Sequence, residues 1–193
     1  MFDMVFSAVG LVLLSPLWLW AAWRIHREDG GPVFYRGERV GRHGKMFRIF
    51  KFRTMVVNAD KIGGTSTGHD DPRITRIGLT LRKLKMDELP QLFNVLMGEM
   101  SLVGPRPQVL WAVELYTPEE REVLTFRPGI TDFASIMFRN EGEILSGSLN
   151  PDAEYLAKIH PEKMRLALDY VNNQSLGLDL KIILKTLASI FRS

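Results

Sequence analysis

Two adjacent acidic residues, Asp87 and Glu88, stand where a helical pattern begins. The apolar residues that follow have the i, i+3, i+4, i+7 spacing of one buried helix face: Leu89, Leu92, Phe93 and Leu96. Pro90 falls in the first turn, where its missing N–H leaves no helical hydrogen bond unmade. The pattern therefore predicts Asp87 as the N-cap of this helix and Glu88 as a first-turn residue.

This position allows two interpretations of the acidic pair. Acids at a helix N-terminus cap free N–H groups and complement the helix dipole, which is a structural role. The same positive potential keeps a carboxylate ionised and attracts phosphate. An ionised aspartate beside a phosphoryl group can act as a nucleophile, a metal ligand, or both. The residues of this segment leave both interpretations open.

Basic residues are concentrated between positions 36 and 53, where seven Lys or Arg residues accompany the single acid Glu38. A predicted strand over Met46–Arg53 places Lys51 and Arg53 on one face, because alternate residues of a strand point the same way. A solvated strand edge and a phosphate clamp both explain these cations. The patch suits an anionic lipid or a phosphorylated substrate.

Two further cations lie beside prolines. Arg106 stands between Pro105 and Pro107, and Arg127 precedes Pro128. Proline fixes the backbone, and a fixed backbone suits a guanidinium that must bind a phosphate with two hydrogen bonds. A tight turn with an incidental arginine is the alternative at both positions.

A polar, glycine-rich loop over 58–71 contains His69, Asp70 and Asp71, which are all potential metal ligands. Three consecutive residues on such a loop rarely converge on one ion. We therefore expect these side chains to be exposed to solvent.

The N-terminal segment from Met4 to Trp23 is 20 residues long and carries no charge. A bilayer core of roughly 30 Å needs about that many helical residues. Ser15 and Pro16 interrupt it, and a proline there bends the helix. A kinked single span and a re-entrant hairpin are both open. Tryptophans followed by basic residues indicate an interfacial belt that leads into the cytoplasm: Trp18, Trp20, Trp23, Arg24, His26 and Arg27.

The remaining elements predict an α+β protein that is mainly helical. A small β-hairpin is followed by a basic amphipathic helix, with Ile74, Ile77, Leu81 and Leu84 on one face, of a kind that suits a membrane interface. The C-terminal third predicts helices over 150–159, 160–171 and 176–191. The last helix carries an apolar stripe that predicts core packing: Leu176, Leu180, Ile183, Leu184, Leu187, Ile190 and Phe191. We divide the chain into a membrane element (1–23) and a globular domain (24–193).

Composition excludes several classes of protein. The chain has no cysteine, which rules out a disulfide framework and thiolate metal sites. The net charge of +3 is small overall. We do not expect nucleic acid as a partner of the basic patch, because an apolar membrane segment lies beside it in the chain.

Several motifs together resemble one family. The central Ser-Pro, the run GGPVFYRGERVGRHGKMFRIFKFRTM, DPRITRIG, MDELPQLFNVLMGEMSLVGPRP and RPGIT are similar to the bacterial sugar transferases. These are monotopic phosphoglycosyl transferases, which start glycan assembly on a polyprenol phosphate carrier. The resemblance covers nearly the whole chain and is limited to the catalytic core of the larger members.

The resemblance implies a ping-pong reaction. Asp87 would attack the β-phosphate of a UDP-sugar, releasing UMP, and undecaprenyl phosphate would then take the phosphosugar from the aspartate. It implies that Asp87 also binds Mg²⁺ and that Glu88 is the second acid of the pair. It assigns substrate phosphate or nucleotide binding to five cations: Lys51, Arg53, Arg106, Arg127 and Arg139.

The resemblance further implies a location and partners. Ser15 and Pro16 would break a re-entrant helix, so that the enzyme sits on the cytoplasmic face of the bacterial inner membrane among membrane lipids. Downstream glycosyltransferases and a second copy of the chain are candidate partners. The family pattern after RPGIT is closer to Gly-Leu-Ala-Gln, whereas this chain has Asp-Phe-Ala-Ser at 132–135, which leaves the sugar open. A catalytically silent membrane adaptor that binds lipids or partners is the alternative function.

Overall fold

The computed structural model describes residues 2–62, 67–68 and 70–190. Helices α1 (Phe2–Leu13) and α2 (Ser15–Asp29) form a pair bent by 63°. Pro16 lies in the first turn of α2, and the Ser15 hydroxyl donates to the Val12 carbonyl oxygen at 2.7 Å. The break therefore lies where the Ser-Pro pair predicted it. Among the described residues no single helix has the length and apolar character for a membrane crossing, and only this bent pair meets both conditions together.

Four short strands follow the helix pair and form two antiparallel ribbons. Strand β1 (Phe34–Tyr35) pairs with β4 (Lys51–Phe52), while β2 (Glu38–Val40) pairs with β3 (Met46–Arg48). The β2–β3 ribbon is the inner hairpin, and β1 and β4 flank it in sequence.

The predicted continuous strand over Met46–Arg53 was wrong, because the chain changes partners at its centre. The Ile49 N–H donates to the Gly37 carbonyl oxygen at 3.0 Å. The Phe50 N–H donates to the Asn94 side-chain oxygen at 2.8 Å instead of to a neighbouring strand. This side-chain contact separates β3 from β4, and residues 51–53 then turn toward α2.

The acidic pair lies between α3 (Arg76–Lys83) and α4 (Gln91–Leu96). The prediction that Asp87 is an N-cap was wrong. Lys85 adopts a left-handed conformation (φ 55°), and Met86–Glu88 then form a 3-10 turn in which Asp87 makes no capping hydrogen bond. The predicted apolar face of α4 is confirmed, since Leu92 packs against Gly10 of α1 and the Phe93 ring lies 5.0 Å from that of Trp18.

Strands β5 (Ser101–Val103) and β6 (Gly129–Thr131) pair in parallel and carry the two proline motifs at their ends. The other α-helices are α5 (Leu110–Glu114), α6 (Phe133–Met137), α7 (Glu141–Ile144), α8 (Pro151–Lys158), α9 (His160–Asn173) and α10 (Leu176–Ile190), and Glu120–Thr125 form a 3-10 helix. The predicted α+β, mainly helical class agrees with this arrangement.

The predicted core-packing stripe of α10 was largely wrong. Ile182 is fully buried and packs with Val103 and Tyr170. Four leucines of the predicted stripe are instead exposed to between 44% and 67%: Leu176, Leu180, Leu184 and Leu187. Phe191 lies outside the described residues. Helix α10 has apolar residues on two faces, so periodicity alone did not identify the face that packs.

Candidate active site

The acidic pair lies at the centre of a cluster of cations from four parts of the chain. Asp87 is buried, with 9% of its surface exposed. The 3-10 turn that carries it packs against both α3 and β4. Because α3 and β4 also contribute basic residues, the turn brings carboxylates and cations together in one partly buried place.

Glu88 is held by two of the predicted phosphate-binding cations. The Lys51 ammonium lies 2.9 Å from Glu88 Oε1, and Arg106 forms a two-pronged ion pair with both carboxylate oxygens. Burial acts to raise the pKa of Glu88, but Arg106 and Lys51 together hold it well below its usual value. Glu88 is therefore an anchored, ionised carboxylate that fixes two cations.

Asp87 has a different environment. Among the described residues it accepts no hydrogen bond, although Lys51, Arg82 and Lys85 are close enough to act on its charge. Burial and the neighbouring Glu88 charge raise its pKa, while the three cations act to lower it. The pair thus consists of one carboxylate that is committed to ion pairs and one that is not.

Arg82 and Lys85 are site residues that the sequence reasoning missed. Arg82 donates from Nε to the Thr54 hydroxyl at 2.9 Å and acts on the Asp87 charge. Lys85 donates to the main-chain oxygen of Arg139 at 2.8 Å. The available signal is a group of basic residues within five positions before Asp87, which the helical pattern places on a membrane-facing or a solvated helix face.

The Arg106 loop is fixed by close backbone packing. A Cβ on Gly129 would lie 2.1 Å from the Gly104 nitrogen, so only glycine fits there. The Gly129 N–H donates to the Pro105 carbonyl oxygen at 3.0 Å. These backbone contacts bring the two proline motifs side by side, and the Arg127 carbonyl oxygen lies against Gly104 at the start of the Arg106 loop.

Arg127 and Arg139 are the predicted cations with free guanidinium groups. Arg127 is exposed and Arg139 is partly exposed. Within the part of the chain that the structure describes, neither guanidinium has a hydrogen-bond or ion-pair partner. Both are available to an incoming anion, and Arg139 is close enough to Lys85 to act on its charge.

Arg53 is engaged elsewhere, which argues against its predicted role as a phosphate ligand. It is 7% exposed and forms a two-pronged ion pair with Asp29 at the end of α2. Its remaining donors contact the carbonyl oxygens of Pro32 at 2.6 Å and Met55 at 3.2 Å. Because these contacts use four of the five N–H donors of the guanidinium, Arg53 joins α2 to β4, and we leave it out of the proposed phosphate-binding set.

Among the described residues, no three His, Asp or Glu side chains converge on a position where they could hold a metal ion. Asp87 still fits a magnesium site, because its carboxylate is unpaired and Mg²⁺ is commonly held by one or two carboxylates together with substrate phosphates.

In the loop over 58–71, Asp70 is exposed as expected and His69 lies outside the described residues. The expectation for Asp71 was wrong, because it forms an ion pair with Arg73 at 2.6 Å.

Comparisons with known proteins agree on one family. The sequence model described as bacterial sugar transferase matches residues 1–193. The chain is 38% identical over 206 residues to the exopolysaccharide production protein ExoY of Sinorhizobium fredii, covering 98% of this chain and 83% of that protein.

Two longer relatives carry names that describe a reaction. The undecaprenyl-phosphate galactose phosphotransferase of Salmonella typhimurium is 37% identical, over 99% of this chain and 40% of its own length. The UDP-N-acetylgalactosamine-undecaprenyl-phosphate N-acetylgalactosaminephosphotransferase of Aeromonas hydrophila is 36% identical, over 97% of this chain and 42% of its own length. This chain therefore spans less than half of either phosphotransferase.

Proposed function

This chain belongs to the bacterial sugar transferase family, and from that premise we propose that it moves a phosphosugar from a UDP-sugar to undecaprenyl phosphate. The product would be an undecaprenyl diphosphate-sugar, which begins the assembly of a glycan on its lipid carrier. The named reactions of the Salmonella and Aeromonas relatives support this assignment.

The unequal surroundings of the two carboxylates are the observation that carries the proposal. Lys51 and Arg106 bind Glu88, whereas Asp87 is buried among cations without a hydrogen bond in the described residues. A nucleophile must have a free oxygen that can reach the phosphorus atom. Asp87 meets this condition and Glu88 does not.

The proposed reaction has two displacement steps. An Asp87 oxygen attacks the β-phosphorus of the UDP-sugar, the bond from that phosphorus to the bridging oxygen breaks, and UMP leaves with the electron pair. A phosphate oxygen of undecaprenyl phosphate then attacks the same phosphorus and releases the aspartate. Fixed cations stabilise the negative charge that develops on the phosphoryl oxygens in both steps.

The cations around Asp87 divide into two groups in this proposal. Lys51 and Arg106 fix Glu88 and supply positive charge beside the reacting phosphate. Arg127 and Arg139 have free guanidinium groups that bind the outer phosphate oxygens of the substrate. Asp87 would also hold Mg²⁺, which neutralises charge on a diphosphate, and Arg82 and Lys85 supply positive charge on the side of α3.

We further propose that the bent helix pair is a re-entrant anchor on the cytoplasmic face of the inner membrane. Apolar side chains of α1 are exposed to between 51% and 73% at Met4, Val5, Phe6, Val9, Val12 and Leu13. Burying such a surface in lipid is favourable. It also places α4, which packs on α1, close to the head groups where a polyprenol phosphate is found.

The sugar is left open by the comparisons. The Salmonella and Aeromonas relatives are named for galactose and N-acetylgalactosamine, and their identities to this chain differ by a single percentage point. A panel of UDP-sugars assayed for UMP release with undecaprenyl phosphate would identify the donor.

The central test is the covalent intermediate. The enzyme incubated with Mg²⁺ and the UDP-sugars of that panel, without the lipid, is expected to gain the mass of one phosphosugar on Asp87. Asp87→Asn should lose both the adduct and UMP release, and Lys83→Met serves as a control for a change on the exposed side of α3. A fully active Asp87→Asn enzyme would refute the nucleophile assignment. Absence of turnover with every donor would favour the silent adaptor.

A further inference from the structure

Gln91 has an unusual environment for a polar side chain. It is 1% exposed, and neither its amide nitrogen nor its amide oxygen has a hydrogen-bond partner among the described residues. An unpaired polar group in a protein interior lowers the stability of the folded state. An apolar side chain of the same size would avoid this loss, so folding alone does not account for a glutamine here.

The next polar residue on the same helix shows the contrast. Asn94 is fully buried, yet its side chain accepts from the Phe50 N–H and donates to the Arg48 carbonyl oxygen at 2.9 Å and to Glu99 Oε2 at 2.7 Å. Asn94 therefore has a structural role that uses its amide fully. Gln91 lies one turn earlier and has no such role.

Gln91 lies beside the acidic pair. It follows Glu88 by three residues and Asp87 by four, and the intervening Leu89 and Pro90 both have right-handed helical backbone angles. Residues at these separations on a helix are neighbours, about 5–6 Å apart at Cβ. Glu88 already has partners in Lys51 and Arg106, whereas Asp87 has no hydrogen bond among the described residues, so the Gln91 donor and the Asp87 acceptor, four positions apart, are both unused.

We propose that Gln91 is a positioning residue for the transfer reaction, whose amide Nε2 donates to the Asp87 carboxylate in the reacting complex and directs its other oxygen to the phosphorus. This inference rests on the proposed function, because it requires Asp87 to be the nucleophile. The hydrogen bond would fix the terminal torsion of Asp87, which no hydrogen bond holds among the described residues. A misplacement of a reacting atom by about 1 Å is enough to slow a reaction by about 10²-fold.

The test uses Gln91→Met, which keeps the length of the side chain and removes both polar groups. We expect the rate of phosphosugar-enzyme formation to fall about 10²-fold, with KM for the UDP-sugar within about twofold because the substrate contacts are unchanged. The melting temperature should be equal or higher, because an unpaired buried amide has been removed. Leu92→Met, on the face of α4 that packs against α1, is the matched control and should keep the normal rate.

Gln91→Glu provides a second, isosteric variant. It keeps Oε1 but replaces the Nε2 donor with an acceptor once the new carboxyl is ionised, so the proposal expects a loss of rate at least as large at a pH above the raised pKa of that carboxyl. An unchanged rate in either variant, or a raised KM with an unchanged kcat, would overturn the inference. A lowered melting temperature with a normal rate per folded molecule would show that Gln91 has a structural role. This result would also overturn the inference.

The same experiment separates this inference from the function on which it rests. Asp87→Asn is measured in parallel with the Gln91 variants. If Asp87→Asn abolishes the adduct while Gln91→Met forms it at the normal rate, only the role of Gln91 is refuted. If Asp87→Asn retains the adduct, the proposed function itself fails.

Discussion

Asp87 and Glu88 differ by one methylene and one position, yet their chemistry differs because of their contacts. Glu88 has two cationic partners that hold its pKa well below its usual value. Burial and the neighbouring negative charge of Glu88 raise the pKa of Asp87. Two adjacent acids thereby differ: Glu88 is held by ion pairs, and Asp87 is free for the nucleophilic role that we propose.

This difference predicts opposite effects on stability. Glu88→Gln leaves Lys51 and Arg106 without their counter-charge in a partly buried site, and we expect it to lower the free energy of unfolding by about 3 kcal/mol. Asp87→Asn removes a buried charge that has no hydrogen bond among the described residues, so it should leave stability unchanged or raise it. Urea denaturation of both variants checks this. Equal destabilisation by the two changes would contradict the unequal roles.

Helix α2 is joined to the globular part by consecutive acids at its end. Glu28 accepts hydrogen bonds from the backbone N–H groups of Arg76 at 2.7 Å and Ile77 at 3.0 Å, at the start of α3. Asp29 binds Arg53, which precedes Thr54 in the turn after β4. The proposed membrane anchor and the two elements that carry Arg82 and Lys51 are thus connected by polar contacts of α2.

The Asp29–Arg53 pair predicts a pH dependence of stability. Hydrogen bonds from Arg53, opposed by burial and supported by the Gly31 N–H, lower the pKa of Asp29 from 3.8 to about 2. Because the folded state binds this proton less readily than the unfolded state, the stabilisation is present above pH ~4 and is lost as the pH falls toward 2. Asp29→Asn should therefore lower stability by about 1 kcal/mol at pH 6, since partial exposure screens the pair.

The measurement compares wild type with Asp29→Asn by urea denaturation at pH 6 and at pH 2.5. The difference between the two proteins should shrink at the lower pH. Glu162→Gln, which removes an exposed partner of Arg165 on α9, is the control and should have a small effect at both. A difference that is the same at both pH values would refute the assigned role of this ion pair.

At the scale of the whole molecule, large apolar side chains are exposed along both α1 and α10. Both helices pack against β5, and Asp3 of α1 is close enough to Asp179 of α10 to raise its pKa together with burial. The N-terminal ends of the two helices are therefore neighbours.

A re-entrant anchor makes a prediction about membrane topology. The chain has no cysteine, so a single introduced one is the only site of labelling. Met4→Cys in sealed vesicles should react with an impermeant thiol reagent only when the cytoplasmic face is accessible, because both ends of the bent pair would lie on that side. Leu149→Cys, in a fully exposed position of the globular part, is the control for that face. Labelling of the Met4→Cys variant from the opposite face would show a single span.

The features that depend on local spacing could be predicted from the sequence. The acidic pair, the apolar face of α4, the Ser-Pro break and most helix positions follow from periodicity and from proline, which act over a few residues. The tight packing at Gly104 and Gly129 also concerns motifs that the sequence identified, although it did not reveal that they are adjacent.

The pairing of each cation with a particular acid depends on the tertiary structure. Lys51 meets Glu88 across 37 positions and Arg106 meets it across 18, while Arg53 binds Asp29 across 24. All of these arginines and lysines suit phosphate equally well by residue type. The packing of α2, α3 and the parallel strands brings distant segments within a few ångströms of each other, and this proximity determines the ion pairs. Charge attraction has no period in the sequence, so the pairs could not be predicted from residue spacing.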